Sequence, residues 1–132
     1  MKIKIIIVTA ILIINTIILC GCNQEISETQ VDITKVELVN YKVEILKDLV
    51  GEDYRRISGF VRNNAGLKIK KIMVKVKFYD INNNSIKIKN SYIYDLANKD
   101  TKEFSTVAHP ANDYYHKVDW NNIKFEIIVE ET

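Results

Sequence analysis

The chain has 132 residues, with 19 Lys or Arg against 17 Asp or Glu, and it contains only two Cys. This length corresponds to one domain, and the near balance of charge excludes the strongly basic surface of a nucleic-acid-binding protein. So few cysteines also exclude a disulfide-rich scaffold.

The first 21 residues have the features of an export signal. Lys2 and Lys4 form a basic start, and an apolar run of fifteen residues, Ile5 to Leu19, follows. This run is too short for a hydrocarbon core, which needs roughly 20 residues, and it ends in small residues as signal peptides do. We therefore expect residues 1–21 to be removed after export.

The end of this segment, Leu19-Cys20-Gly21-Cys22, resembles the lipobox of bacterial lipoproteins. The resemblance implies cleavage after Gly21 and a lipid on Cys22, which would anchor the chain on the extracytoplasmic side of the cell membrane. The alternatives are an ordinary signal peptide with an incidental cysteine, and a buried core helix.

Cleavage at this point would change the composition. Without Lys2 and Lys4 the chain has 17 basic and 17 acidic residues, so it is near neutral. With Cys20 removed and Cys22 acylated, no thiol remains for a disulfide, for zinc or for nucleophilic catalysis. The domain is therefore expected to depend on its apolar core alone.

Residues 22–30 are predicted to be the lipidated cysteine and a polar tether. The sequence after Cys22, NQEISETQ, contains one aliphatic residue and has no helical periodicity. A flexible chain of this length spans roughly 15 Å on average. We therefore expect the domain that follows, residues 31–132, to lie close to the membrane.

From residue 31 onward, apolar and polar residues alternate as they do in β-strands. In the first predicted strand the alternation slips at Leu38-Val39, which predicts a bulge or a strand break near Asn40. Residues 54–63 are the next predicted strand. Gly59 inside it indicates a bulge or a close approach of two backbones.

The clearest alternation lies in residues 71–89. One face of residues 72–79 is apolar and the other carries lysines, residues 80–84 are polar, and residues 86–89 alternate again. This pattern predicts an antiparallel hairpin with Phe78 in the centre of the core, partnered by Phe104 and Phe125. Residues 92–96 either continue the second arm or start a separate strand.

Three further strands are predicted at residues 102–108, 114–118 and 123–130, with turns between them. About seven short strands and almost no helix predict an all-β, antiparallel β-sandwich. A barrel is the alternative, because periodicity does not determine whether a sheet closes.

Two segments resemble the FxLYD domain of extracytoplasmic lipoproteins from Gram-positive bacteria. They are Gly59-Phe60-Val61-Arg62-Asn63 and Val74-Lys75-Val76-Lys77-Phe78-Tyr79-Asp80, and Leu96 followed by Thr101-Lys102-Glu103-Phe104 fits the later part of the family pattern. The chain departs from the pattern at Phe78, where Leu is usual, and at Lys99-Asp100, where Pro-Gly is usual. The resemblance covers roughly Tyr54 to Val129. It implies an immunoglobulin-like sandwich and carries over no catalytic residue and no cofactor.

The spacing of His109, Asp113 and His116 offers nitrogen and oxygen ligands to a metal, as in a metal-dependent hydrolase. Pro110 lies inside this segment, which is predicted to run from a loop into a strand. Ligand side chains need a fixed geometry, and this arrangement does not predict one. Two solvated histidines are the favoured interpretation, and no metal is expected.

Asp80, Asn82 and Asn84 have the spacing that begins a calcium-binding loop. Such a loop requires Gly at its sixth position and a bidentate Glu at its twelfth, and this chain has Ser85 and Ser91 there. A hairpin turn explains the segment better. The sequence also lacks a nucleophile elbow and a glycine-rich phosphate loop, so we expect no catalytic activity.

Two sets of residues are candidate binding surfaces. The first is a lysine stripe, expected on the outer face of the hairpin, that could meet teichoic acids or anionic lipid headgroups: Lys75, Lys77, Lys87 and Lys89. The second is an aromatic platform for a sugar or a peptide: Tyr114, Tyr115 and Trp120. The alternatives are lysines that only prevent edge pairing, and aromatic residues that belong to the core and its rim.

The sequence therefore favours a membrane-anchored binding or interaction module of the cell envelope, whose partner is an envelope protein or a cell-wall ligand. A second hypothesis is a lipoprotein that blocks or modulates a membrane partner. The metal-dependent hydrolase is the third.

Overall fold

The computed structural model describes residues 32–132, which form two antiparallel three-stranded sheets. The strands are β1 (Val36–Lys47), β2 (Asp53–Asn63), β3 (Ile69–Tyr79), β4 (Ser85–Leu96), β5 (Thr101–Ala108) and β6 (Ile123–Glu131). Two short 3-10 helices span Ile33–Lys35 and Tyr115–Lys117. The predicted all-β fold is confirmed.

The sheets have the strand orders β1-β2-β5 and β4-β3-β6. These are the orders of strands A, B and E, and of C′, C and F, in immunoglobulin sandwiches. The protein is thus a sandwich of two separate sheets and not a barrel. Residues 92–96 continue β4 and do not form a separate strand.

The prediction of a strand at residues 114–118 is wrong, because this segment contains a 3-10 helix. The described part of the chain therefore has six strands, whereas about seven were predicted. The N–H of Lys117 donates to the carbonyl of Tyr114 at 3.0 Å, an i→i+3 bond of a 3-10 helix. This turn lets the neighbouring rings of Tyr114 and Tyr115 both pack against the core. An extended strand would point them to opposite sides.

The core lies between the sheets and consists of alternate strand residues. Phe78 is completely buried, and Phe104 and Phe125 are almost so. The rings of Phe104 and Phe125 lie 5.8 Å apart, whereas the ring contacts of Phe78 are to Tyr114 and Trp120. The central place of Phe78 is therefore as predicted, and its aromatic neighbours come from the β5–β6 connection.

The bulge predicted near Asn40 is confirmed, and it explains Gly59. The register of β1 against β2 shifts between Leu38 and Asn40. At this bulge the Asn40 carbonyl comes so close that a Cβ on Gly59 would lie 2.5 Å from its oxygen and 2.8 Å from the Phe104 ring. Only glycine fits without displacing one of them, as the predicted close approach implies.

A second bulge lies in the β3–β4 hairpin, and the sequence pattern did not reveal it. Phe78 pairs with Lys87, but Tyr79 pairs with Ser85, so Ile86 is the extra residue. A shift of one residue moves every following side chain to the other face of the sheet. The faces that Lys87, Ile88 and Lys89 occupy are therefore the opposite of the predicted ones.

One long side of the sandwich is closed by hydrogen bonds between β4 and β5. Lys102 Nζ donates to the carbonyls of Tyr94 and Asp95 at 2.6 and 3.0 Å, and Ser91 Oγ donates to the carbonyl of Ser105 at 3.1 Å. These bonds fix the two sheets relative to each other at their adjoining edges.

The end of the sandwich at which β1 begins is held by a buried asparagine. Asn63 Nδ2 donates to the carbonyls of Leu67 and Leu96 at 2.8 and 3.0 Å, and its Oδ1 accepts the N–H of Ala65 at 2.9 Å. Because Asn63 is fully buried, no water replaces these bonds, and two connections are fixed by one side chain.

Candidate binding site at the loop end of the sandwich

Three connections meet at the end opposite to the start of β1, and we call this the loop end. They are the β1–β2 turn (residues 48–52), the β3–β4 turn (residues 80–84) and the β5–β6 connection (residues 109–122). Loops that a rigid sandwich brings together at one end are the usual place for binding residues in this architecture.

The β1–β2 turn is held by Asp48 and displays two aliphatic side chains. Asp48 Oδ1 accepts the N–H groups of Val50 and Glu52, both at 2.9 Å. Leu49 is fully exposed and Val50 is 82% exposed. The turn therefore keeps its polar groups paired with each other and presents apolar surface to water.

The β3–β4 turn is held in the same way, by an aspartate that accepts backbone N–H groups of the turn. Asp80 Oδ1 accepts the N–H groups of Asn82 and Asn84 at 2.9 and 2.8 Å, and Asn84 Nδ2 donates to Oδ2 at 3.1 Å. The carboxylate is thus used by the turn itself, and the hairpin interpretation of this segment is confirmed over the calcium loop. Ile81 beside it is 86% exposed.

The β5–β6 connection brings the three predicted aromatic residues together. The rings of Tyr115 and Trp120 lie 5.1 Å apart, and Phe78 lies 5.9 Å from Tyr114 and 5.8 Å from Trp120. All three aromatic residues are half-buried and pack against the core. They close the loop end of the core, and part of each remains in contact with solvent.

A groove runs beside Trp120. Its lining includes Arg55, Ile81, His116, Lys117, Asp119 and Trp120. The guanidinium carbon of Arg55 lies 4.6 Å from the centre of the Trp120 ring, which is a cation–π contact. The groove therefore combines positive charge, an aromatic ring and one exposed aliphatic side chain.

His109 is paired with an acid that the sequence hypothesis did not include. Its Nε2 lies 3.0 Å from Asp48 Oδ2 and 3.9 Å from Glu52 Oε2, and its Nδ1 accepts the N–H of Ala111 at 3.1 Å. The hydrogen bond to His109 is the main reason why the pKa of Asp48 lies below its usual value.

These bonds disfavour a metal at His109. A backbone N–H can only donate, so Nδ1 carries a lone pair and the proton of the neutral ring lies on Nε2, which donates to Asp48. A metal on Nε2 would place a proton on Nδ1 that faces the N–H of Ala111. His109, Asp48 and Glu52 are the one group of potential metal ligands among residues 32–132, and it excludes Asp113 and His116.

The prediction that four lysines form one outer stripe is wrong. The β4 bulge places Lys87 and Lys89 on the face that points toward the other sheet. Lys87 Nζ lies 5.8 Å from the centre of the Tyr114 ring, and Lys89 Nζ reaches the carbonyl of Val107. Burial lowers the pKa of Lys89.

The other two lysines, Lys75 and Lys77, do lie on the outer face of β3. Lys77 Nζ lies 2.5 Å from Glu126 Oε2, and the carboxylate side chain is only 10% exposed. This ion pair offsets one of the two charges, so the four predicted lysines do not form a basic stripe on this face.

The predicted lipidation site, Cys22, and the tether lie outside the described residues. Among residues 32–132, no helix has the length and the apolar character that a membrane span requires. No protein family, no curated protein and no solved structure matches the chain. The resemblance to the FxLYD domain thus stays a prediction.

Sequence reasoning missed the four residues that distinguish the loop end. Leu49 and Val50 form an apolar pair in the segment between the first two strands, and Ile81 is the one aliphatic residue in a polar turn. Arg55 has the parity of Ile57 and therefore belongs to the inner face. Each of these signals is present in the sequence, as an apolar residue in a turn or a charge on an inner face.

Proposed function

We propose that the chain is a lipid-anchored module of the cell envelope that binds a partner protein through its loop end. Cys22 carries the anchor, residues 23–30 are the tether, and the sandwich presents the loops. The domain acts by binding and not by catalysis.

The exposure of three large aliphatic residues at one end carries this proposal. Leu49, Val50 and Ile81 stand on two separate turns and are almost completely in contact with water. Burial of such a side chain contributes about 1.5–3 kcal/mol, so their exposure leaves this free energy available to a partner. Exposed apolar surface on two turns at the same end of the sandwich is where we expect an interaction site.

The residue types that lie between these turns favour a protein as the partner. Trp, Tyr and Arg are the residue types that contribute most to protein–protein binding when neighbouring apolar contacts exclude water from them. Trp120, Tyr115 and Arg55 lie together at the loop end, and the aliphatic turns flank them.

The direction of the strands favours this end over the other. The tether enters at the start of β1, and β3 has 11 residues, which at about 3.3 Å per residue gives roughly 35 Å from one end of the sandwich to the other. The loop end thus points away from the tether, where an envelope protein can reach it.

Site-specific photocrosslinking tests this function. We would place a photoreactive amino acid at Ile81 of the full-length chain in intact cells, with Lys99, in the β4–β5 turn at the opposite end, as the matched control position. Position 81 should give an adduct of defined mass under ultraviolet light, and position 99 should give none. Replacement of Leu49 and Val50 by Ala should weaken the adduct at least tenfold.

Equal adducts from both positions, or none from position 81, would contradict the proposed function. The mass of the adduct identifies the partner. A test of that partner's activity then separates a simple interaction module from a lipoprotein that blocks or modulates its partner. Loss of the partner's own activity in cells that overproduce the chain would favour the role of a blocking or modulating lipoprotein.

A further inference from the structure

Arg55 occupies a position where arginine is costly. It lies in the central strand of its sheet, opposite Ile45 on β1 and Ala108 on β5, and it shares the inner face with Ile57. Its side chain therefore enters the space between the sheets at the loop end. A charged group in such a place is normally paired, because its removal from water is unfavourable.

Arg55 has no carboxylate partner among residues 32–132. Its Nε is buried and has no hydrogen-bond partner, and its one charge-related contact is to the face of Trp120. The neighbouring Arg56 shows the contrast, since its Nε and Nη2 donate to Glu44 Oε2 at 3.0 and 2.7 Å. The ring of Trp120 fixes the orientation of the Arg55 guanidinium but accepts none of its in-plane N–H bonds.

The groove around Arg55 contains one acidic residue of the described chain, and it does not form an ion pair with Arg55. Asp119 is its one acidic lining residue, and Asp119 Oδ1 accepts the N–H of Asn121 at 3.1 Å within its own turn. Lys117 and His116 line the same groove, and neither of them contributes a negative charge. Arg55 thus lines a groove in which no acidic side chain of residues 32–132 forms an ion pair with it.

We propose that this groove binds a carboxylate side chain of a partner protein, a Glu or Asp flanked by apolar residues. The carboxylate pairs with the Nη groups of Arg55, a geometry that the planar guanidinium favours. Ile81 and Trp120 contact the flanking apolar residues. The inference deepens the proposed function and rests on it, because it gives the chemistry of the partner at the loop end.

A phosphodiester of a cell-wall polymer is the competing anion. Such a polymer is polar along its whole length and has nothing to contact the exposed Ile81 or the aliphatic turn at Leu49 and Val50. An acidic residue in an apolar peptide segment matches both the charge and the apolar surface, and the structure therefore favours it.

Fluorescence of Trp120 reports binding directly, because the chain has a single Trp. We would titrate the full-length protein in a non-ionic detergent with the capped peptide Ala-Leu-Glu-Leu-Ala, with its Gln counterpart, and with an oligomer of glycerol phosphate. The Glu peptide should give a saturable change in Trp120 fluorescence. The Gln peptide and the phosphate oligomer should each bind at least tenfold more weakly.

Two variants test the role of the guanidinium. Arg55→Gln should abolish the preference for Glu over Gln, and Arg55→Lys should weaken binding of the Glu peptide because the planar fork is lost. Arg62→Gln is the matched control on the same strand, since Arg62 is exposed on the outer face and contacts Thr101. It should leave both affinities unchanged.

Equal binding of the Glu and Gln peptides to the unmodified protein would overturn the inference, and this comparison needs no variant that could misfold. Tighter binding of the phosphate oligomer, or an unchanged preference in a folded Arg55→Gln protein, would overturn it as well. If position 81 still gives a partner adduct in that case, the proposed function stands without this site. If the Glu preference holds but no adduct forms, the site stands and the proposed function fails.

Discussion

At the scale of single residues, Gly59 is the most constrained position in the first sheet. The β1 bulge brings the Asn40 carbonyl and the Phe104 ring against its Cα, so that a methyl group would overlap both. The carbonyl belongs to the backbone of a paired strand and Phe104 is almost completely buried. Neither can move without a loss of packing or of ladder hydrogen bonds.

Gly59→Ala should therefore lower the free energy of unfolding by about 1–3 kcal/mol, the usual effect of overpacking. Urea titration of the two proteins measures the difference. The matched control is Ser58→Ala, the preceding residue on the same strand. Ser58 is buried and its Oγ has no partner among residues 32–132, so removal of this hydroxyl should be neutral or slightly stabilising. A larger loss at Ser58 than at Gly59 would contradict the packing described here.

At the scale of elements, the β3–β4 turn depends on the ionised form of Asp80. Hydrogen bonds from the Asn84 backbone and side chain, and then from the Asn82 backbone, hold the pKa of Asp80 below its usual value against the effect of burial. A carboxyl whose pKa is lowered by folding stabilises the fold at pH values above its unfolded pKa. This contribution is lost as the pH falls through the lowered value.

Asp80→Asn should consequently reduce stability at pH 7, and the difference from the unmodified protein should shrink as the pH falls below about 3.9, the ordinary Asp pKa. Urea titrations at pH 7 and in acid measure the difference. Ile81→Ala in the same turn is the control, since it removes no titratable group and its effect should not follow this pH dependence. A difference that grows in acid would mean that the Asp80 carboxylate does not hold the turn.

The elements also show what the sequence can and cannot predict. Alternation identified β2 and β3 because each has one buried face, and the slip at Leu38-Val39 identified a bulge because it interrupts the apolar series. The bulge at Ile86 leaves no such mark. Apolar and lysine residues alternate regularly through it, and the register depends on how the turn at Asp80 closes. The prediction of a lysine stripe was wrong because it did not include the bulge at Ile86.

The candidate site could be predicted only in part, because the sequence shows which neighbouring residues group together but not which distant segments meet. Tyr114, Tyr115 and Trp120 were identified as a group because they are close in sequence, and they do lie together. Arg55 could be assigned to the inner face from its parity with Ile57, but its lack of a partner depends on which loops cover the end of the sandwich. Contacts between distant segments of this kind are not encoded in local periodicity.

At the scale of the whole molecule, the two ends of the sandwich differ in the residues that they bury and expose. The end near the start of β1 is fixed by Asn63, and the loop end carries exposed apolar residues and Arg55, which has no carboxylate partner among residues 32–132. If the lipid proposed for Cys22 holds the protein at a membrane, this anchor would determine which of the two ends a partner meets. The lipid on Cys22 is therefore the assumption on which the proposed function depends most.

Cys22→Ser should either release the protein into the medium, and so remove it from the detergent phase of a partitioning experiment, or leave it as an uncleaved precursor whose higher mass shows that residues 1–21 are still present. The reason is that two or three acyl chains hold a protein firmly, since each buried CH₂ contributes about 0.8 kcal/mol. Cys20→Ser is the matched control. The two cysteines are separated by one residue, and under the same proposal Cys20 would be removed with the leader, so this change should leave partitioning unaltered. Residues 32–132 contain no cysteine, and the core does not depend on a thiol. Urea unfolding of the released Cys22→Ser protein should therefore match that of the anchored one, which separates loss of the anchor from loss of the fold. If Cys22→Ser has the mass of the cleaved chain and still partitions into detergent as the unmodified protein does, the lipobox interpretation is wrong.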